Sequence, residues 1–229
     1  MKIPCFILVR KNSKGLINKN KKKIGNKTLV QHAILYAKKS KFITDIVVST
    51  DDISINKLAK KNGCLTIFPR PKKFSHDRAR TEPALLHAAQ EFIKIKGKFD
   101  IYTYMQATEP FRPKKILDAC INSLLSDKSL DSAFAGYAMH KNFWYKNISK
   151  YKTLTNKKFS NLPRQIKPTI FREDTGIALA SRFKILKKGN RIGKNVTIHA
   201  YEGIYGLIDI HEQNDLKLAN LIYKNFKNI

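Results

Sequence analysis

The sequence is poor in the residues that staple or metallate a fold. Its 229 residues include only three cysteines, Cys5, Cys64 and Cys120. They are odd in number, far apart and each inside an apolar stretch, so free core thiols in a reducing compartment are expected rather than a disulfide framework. The six histidines stand at no zinc-ligand spacing with those cysteines, and no structural metal is implied. No run of roughly 18 apolar residues occurs, and Met1-Lys2 leads directly into strand-like residues without an apolar signal core and cleavage site. A soluble, cytoplasmic protein with no membrane partner is expected. Acidic residues are scarce as well: 17 Asp+Glu against 45 Lys+Arg give a formal charge of +28. Such a field speeds encounters with anions and says nothing about fold. The lysines are scattered through every segment among many Asn and Ile, with no RNP, helix-turn-helix or zinc-finger pattern, so no specific nucleic-acid partner is expected.

What is present is an alternation of strand and helix periods. The length suits one sizeable domain over 1–229. Ile3 to Val9 reads as a buried strand. Leu29, Ala33, Ile34 and Ala37 recur at helical spacing behind a capping Thr28, and Asp45 to Thr50 is a second strand. Ile53 to Asn62 is helical up to Gly63, Cys64 to Phe68 is short and apolar, Glu82 to Ile95 is a helix and Asp100 to Met105 a strand. Lys114 to Leu125 follows Pro113 as a helix, and Asp131 to Tyr137 is another strand. This order predicts an α/β fold of right-handed βαβ units around a mostly parallel central sheet, a three-layer αβα arrangement. The alternation stops at about Met139. Trp144, Tyr145, Tyr151, Phe159 and Leu162 then appear among polar residues without a clean period, so 139–175 is expected to leave the core. Further strands are expected at Gly176 to Ala180, Val196 to Tyr201 and Tyr205 to Ile210, before a closing helix from Glu212 to about Phe226.

The loop after the first strand reads Arg10-Lys11-Asn12-Ser13-Lys14-Gly15-Leu16-Ile17-Asn18-Lys19-Asn20. Cations, free amide N–H groups and one glycine stand together at a strand's C-terminal edge, where α/β sheets bind ligands and where such loops hold anions. It has neither the GxxxxGK[ST] nor the GxGxxG spacing, and composition alone also allows a solvated lysine-rich turn. The pattern resembles the R-x-G-S-K-G-x-x-x-K-N signature of the CMP-sialic acid synthetases, or acylneuraminate cytidylyltransferases, with Asn12 where that family usually has Gly.

Other segments extend the resemblance in order along the chain. Val47 to Thr50 leads into Asp51-Asp52, polar groups that either meet a ligand or cap the next helix. Arg70-Pro71 opens a loop through Asp77 to Thr81, similar to an R-P-x-x-L-x-x-D stretch whose Arg reaches the nucleotide in the family; Asp77 and Thr81 are expected to shape that loop and cap the following helix. Tyr104-Met105-Gln106-Ala107-Thr108-Glu109-Pro110-Phe111-Arg112 is similar to L-Q-P-T-S-P-L-R, which implies acceptor binding by Gln106 and Thr108. Ala107 and Glu109 are departures, and a Glu there needs Arg112 or a metal to face. Leu162-Pro163-Arg164-Gln165 and Phe171-Arg172-Glu173-Asp174-Thr175-Gly176 resemble P-R-R-Q-D and Y-R-E-N-G-A, which implies acceptor contacts from Arg164, Gln165 and Arg172, with Arg164 pairing a sugar carboxylate across a dimer. Ile208-Asp209-Ile210-His211 resembles a D-I-D segment that holds Mg²⁺. Strand alternation there would put Asp209 and His211 on one face, and imidazole suits softer metals than Mg²⁺. Asp215 is expected to cap the last helix.

The resemblance implies a Rossmann-like nucleotidyltransferase fold with a dimerisation excursion at 139–175. It also implies transfer of CMP from CTP to the anomeric hydroxyl of a nonulosonic acid of sialic, legionaminic or pseudaminic type, with loss of pyrophosphate, for surface glycan synthesis. Arg10, Lys14 and Lys19 would neutralise the triphosphate. Arg10, Asn12, Ser13, Lys14, Gly15, Asn20 and Arg70 would bind the nucleotide, and Asp209 with His211 would hold Mg²⁺ or Mn²⁺. A homodimer is implied. A Kdo-type cytidylyltransferase, a non-catalytic nucleotide or sugar binder and, on the +28 charge alone, a nucleic-acid-binding protein are the alternatives.

Overall fold

The computed structural model of the chain describes residues 1–11 and 13–225. Asn12, expected at the nucleotide, and Phe226, expected at the end of the last helix, lie outside them. An eight-stranded sheet forms the centre. It starts with β1 (Pro4–Val9), an apolar run in which Cys5, Phe6, Ile7 and Val9 are fully buried, as a strand covered on both faces must be. The small hairpin β2 (Lys23–Ile24) and β3 (Lys27–Thr28) leads into helix α1 (Leu29–Ala37), whose start is fixed by a capping box between Thr28 and Gln31. Strand β4 (Asp45–Thr50), helix α2 (Ile53–Lys61) and strand β5 (Leu65–Ile67) follow. Asp52 caps α2 by accepting from the N–H groups of Ser54 and Ile55.

Helix α3 (Thr81–Lys96) returns the chain to β6 (Ile101–Met105). Thr81 does not cap α3: Arg80 occupies the cap position without a side-chain bond, and Thr81 is the first helical residue. After α4 (Ile116–Ser126) comes β7 (Ser132–Met139). The chain then leaves the sheet as the hairpin β8 (Trp144–Asn147) and β9 (Lys150–Thr153) and the short helix α5 (Lys157–Ser160). It rejoins as β10 (Ile170–Glu173) and β11 (Leu179–Arg182), then α6 (Phe183–Lys187), β12 (Val196–Tyr201) and α7 (Gln213–Asn225).

β1 pairs in parallel with β4 on one side and β6 on the other, and β4 with β5. The chain therefore reverses its direction of travel across the sheet between β1 and β6, and their C-terminal ends open a crevice there. β7 carries β12 in parallel along one edge, while β11 and β10 share its other edge antiparallel. Side chains alternate between two cores. Cys5, Ile7 and Val9 pack with α1, α2, α4 and α7, whereas Phe6 packs with α3 and α6.

The expected strand at Tyr205 to Ile210 is absent. Gly203, at φ 82°, turns the chain away, a one-turn 3-10 helix spans Ile204–Leu207, and the following residues run irregularly. A Cβ on Gly206 would fall 2.2 Å from the Tyr137 ring, so the segment passes too close over β7 to run as a strand bearing a side chain there. One bond ties it to the loop after β6, from Ile210 N–H to the Thr108 carbonyl at 2.8 Å.

Candidate active site

Two cavities meet at the crevice between β1 and β6, and the Gln106 side chain after β6 belongs to both. The first, of about 280 Å³, is walled by the loop after β1 (Arg10, Ser13, Lys19, Asn20), by Arg70 after β5 and by Gln106 and Thr108. Each comes from a strand's C-terminal end, so the sheet itself sets their spacing. Asn20 is buried and donates from Nδ2 to the Arg10 carbonyl at 3.1 Å, closing the loop on itself. Arg70 is only 4% exposed; its Nε donates to Ser75 Oγ at 3.1 Å, and burial lowers its pKa. Burial also lowers the pKa of Lys19, against the opposing pull of the Asp209 charge.

Asp77 sits among these cations. Its two carboxylate oxygens lie 3.2 Å from Arg10 Nη1 and 3.1 Å from Lys14 Nζ. Lys14 is otherwise exposed, and Gly15 faces away from the cavity, against the backbone of His211. Arg70 has its own carboxylate neighbour, Asp51, at 3.9 Å, and a group of converging cations at a loop of this kind suits an anion.

The second cavity, of about 460 Å³, is walled by four carboxylates, Glu109, Glu173, Asp174 and Asp209, and by Arg172 and Arg191. Arg172 is bidentate on Asp174, with Nε to Oδ1 at 2.8 Å and Nη2 to Oδ2 at 2.9 Å, and it donates to the Gly206 carbonyl. Those bonds to Asp174 raise its pKa, and its guanidinium stands over the Tyr137 ring. Arg191 lies between Glu82, at 3.1 Å, and Glu173, at 3.6 Å, against Tyr104. Arg164 and Gln165 are exposed on the excursion and line neither cavity.

The family pattern of the Cytidylyltransferases matches residues 5–221. The chain belongs to the cytidylyltransferase family. It is 25% identical over 227 residues to post-translational flagellin modification protein B of Campylobacter coli, across 97% of this chain and 95% of that protein. To the CMP-N,N'-diacetyllegionaminic acid synthase of Campylobacter jejuni it is 26% identical over 225 residues, 96% and 94% of the two chains. The solved structure of a CMP:2-keto-3-deoxy-manno-octonic acid synthetase complexed with CTP superposes with a TM-score of 0.70 over 99% of this chain and 100% of that one, at 16% identity. That similarity is one of fold.

As a cytidylyltransferase the chain is a nucleotidyltransferase. Among the described residues no three His, Cys, Asp or Glu side chains cluster closely enough to hold a metal by themselves. Asp209 reaches the second cavity. His211 does not line it: its imidazole is 70% exposed, with Nε2 3.6 Å from Asp209 Oδ2. Because 208–210 is not a strand, the alternation that would have placed both on one face does not apply. Asp215 accepts the N–H groups of His211 and Glu212 at 2.7 and 2.9 Å and so closes the start of α7. The oxygen donors at this wall, Asp209 and Glu109, fit Mg²⁺ or Mn²⁺ better than a softer metal.

Glu109 and Arg191 were not apparent as site residues from the sequence. Glu109 is 9% exposed, its Oε2 has no hydrogen-bond partner among the described residues, and burial, reinforced by the Asp209 charge, pushes its pKa up to about 8. It does not pair with Arg112, whose Nε and Nη2 donate instead to the main-chain carbonyls of Ile177 and Gln106. The exchange of a small polar residue for Glu in a strand-end motif was the available signal. Arg191 had none, since it lies in a lysine-rich loop far from every motif.

Proposed function

We propose that this cytidylyltransferase transfers CMP from CTP to the anomeric hydroxyl of a nonulosonic acid of sialic, legionaminic or pseudaminic type. The observation that carries the reading is the pair of cavities joined at Gln106, one lined by cations in excess of their carboxylate and the other by mixed carboxylates and arginines. The names of the full-length relatives, a legionaminic acid synthase and a flagellin modification protein, support the sugar class and a role in surface glycan synthesis.

In this reading CTP occupies the first cavity. Arg10, Lys14 and Lys19 neutralise the triphosphate; Ser13, Gly15, Asn20 and Arg70 hold the nucleotide. The acceptor lies in the second cavity against Gln106 and Arg172, with Thr108 meeting it from the wall of the first. Its anomeric oxygen attacks the α-phosphorus, the bond to the β-phosphate oxygen breaks, pyrophosphate leaves with that electron pair, and the hydroxyl proton passes to water. Positioning and charge stabilisation account for the rate. Asp209 would hold Mg²⁺, with Mn²⁺ as a substitute, and the ion when bound would withdraw charge from the phosphates.

The excursion exposes Trp144, Tyr151, Leu154 and Ile166, each more than 60% exposed, more apolar surface than a free loop leaves in water. A homodimer formed there would let Arg164 and Gln165 serve the neighbour's acceptor cavity. Mixing an Arg164→Ala protein with one disabled in the phosphate loop should restore activity through hybrid dimers; a strictly monomeric protein would refute this arrangement. Among the described residues no helix is long and apolar enough to cross a membrane. The decisive assay is pyrophosphate release from CTP with a panel of nonulosonic acids and Kdo, in Mg²⁺ and in Mn²⁺. Release with a nonulosonic acid is expected; release with Kdo alone, or with no sugar, overturns the reading.

A further inference from the structure

Charge accounting in the second cavity leaves two carboxylates over. Asp174 is held by Arg172 and Glu173 by Arg191. Glu109 and Asp209 have no Lys or Arg within ion-pair distance among the described residues, yet both belong to the same wall. Glu109 is nine-tenths buried, and its Oε2 accepts no hydrogen bond there. A buried carboxylate oxygen with nothing to accept costs several times what a typical hydrogen bond contributes. The surroundings are shaped around it: a Cβ on Gly176 would fall 1.6 Å from Oε2, so only glycine leaves it room. Arg112 is near enough for its charge to act on Glu109, but it makes no ion pair with it: Nε and Nη2 donate to main-chain carbonyls, and Nη1 is buried without a hydrogen-bond partner among the described residues.

We infer that Glu109 supplies the second carboxylate of the divalent-cation site, opposite Asp209, and that His211 stands outside it. Two anionic oxygen donors give a dication the charge it lacks from the protein alone, and phosphate oxygens and water complete the hard, oxygen-only shell that Mg²⁺ and Mn²⁺ prefer. Both carboxylates line the cavity that meets the first at Gln106, and the Asp209 charge acts on Lys19 in the first cavity's wall. The inference assigns a ligand within the function proposed above and rests on that reading for its role, though not for its test.

The test is Mn²⁺ binding to the full chain without substrates, read from the electron paramagnetic resonance signal of the free ion and from the rise in Tm that Mn²⁺ produces. Glu109→Gln keeps the shape and removes the charge. It should raise the Mn²⁺ Kd by roughly tenfold or more and abolish the Mn²⁺-dependent rise in Tm, as should Asp209→Asn, whereas His211→Ala should change the Kd by less than about twofold. A cooperative melt in each variant without Mn²⁺ verifies folding; if Glu109→Gln fails it, Glu109→Asp, which retains charge but shortens reach, is used and should weaken Mn²⁺ binding measurably. Wild-type affinity in the Glu109 variant, a loss in His211→Ala equal to that in Asp209→Asn, or no Mn²⁺ binding by the wild type overturns the inference. Wild-type pyrophosphate release with unaltered Mn²⁺ affinity in Glu109→Gln would sink the ligand assignment alone. Glu109-dependent Mn²⁺ binding without any sugar-dependent release would instead sink the functional reading.

Discussion

The two halves of the site are opposites in how they are charged and in how they are assembled. The nucleotide side draws Arg10, Lys14 and Lys19 from one continuous loop after β1 and most of the rest of its wall from the stretch Arg70 to Ala84 and the end of β6, with cations in excess and Asp77 as the counter-ion of Arg10 and Lys14. The acceptor side collects Gln106, Glu109, Arg172, Arg191 and Asp209 from four remote stretches of chain, with carboxylates in excess. A contiguous cationic loop can accept an anion with little rearrangement of the fold. A wall assembled from remote stretches depends on every strand end and turn that carries a piece of it. The nucleotide half should therefore tolerate single substitutions as graded losses, and the acceptor half should fail abruptly.

The largest effect tests the acceptor half. Asp209→Asn should reduce kcat by roughly two orders of magnitude, the loss of several kcal/mol of charge stabilisation; a single-turnover assay with saturating CTP checks it, and a kcat within about threefold of wild type would erase the contrast. On the nucleotide side, Lys14→Ala should lower kcat/KM for CTP by about tenfold, since one charge-assisted phosphate contact is worth roughly 1.5 to 3 kcal/mol and Lys14 is exposed. CTP titrations of turnover measure this.

The pH dependence of stability sharpens the comparison without substrate. With Glu109 held to about pKa 8 in the folded chain by burial and near about 4.3 unfolded, the folded state keeps a proton that the unfolded state has released between those values. Stability of the metal-free protein should thus fall as pH rises from about 5 to about 8. Calorimetric Tm values in chelator should show a drop of several degrees across that window, and Glu109→Gln should flatten it. The smallest effect concerns Asp77→Asn. Partly exposed ion pairs contribute about 0–1 kcal/mol, so releasing Arg10 and Lys14 from Asp77 should lower the KM for CTP less than about fivefold. A rise in KM would mean that Asp77 orients the cations rather than competing for them.

The same division decides how much the sequence disclosed. The strand and helix periods from Ile3 to Tyr137 matched the elements closely, because those strands are buried on both faces and read as continuous apolar runs. Asp45 to Thr50 is the same span in both. The loop after β1 was legible for the same reason that makes it contiguous. Beyond β7 the reading degraded. Tyr205 to Ile210 alternates like a strand, yet β12 already occupies the free edge of β7 and Gly203 and Gly206 redirect the chain over Tyr137. The strand alternation expected to put Asp209 and His211 on one face is absent with it, although their side chains still approach to 3.6 Å. Thr81 looked like a cap because Glu82-Pro83 follows it, but the helix starts one residue earlier than capping by Thr81 requires. Glu109 showed in the sequence only as a departure from a strand-end motif, and Arg191 joins the site through tertiary packing that no local pattern reports.

One contact joins the two halves mechanically. A Cβ on Gly15 would fall 2.6 Å from the His211 carbonyl oxygen, so the loop after β1 rests directly on the backbone that carries Asp209. The thickness of a single methyl group separates a working fit from a jammed one. The two ends of the chain, nearly two hundred positions apart, are thus seated as one hinge leaf against another, and adding Ala at Gly15 would lever the Asp209 backbone outward while leaving every charge in place.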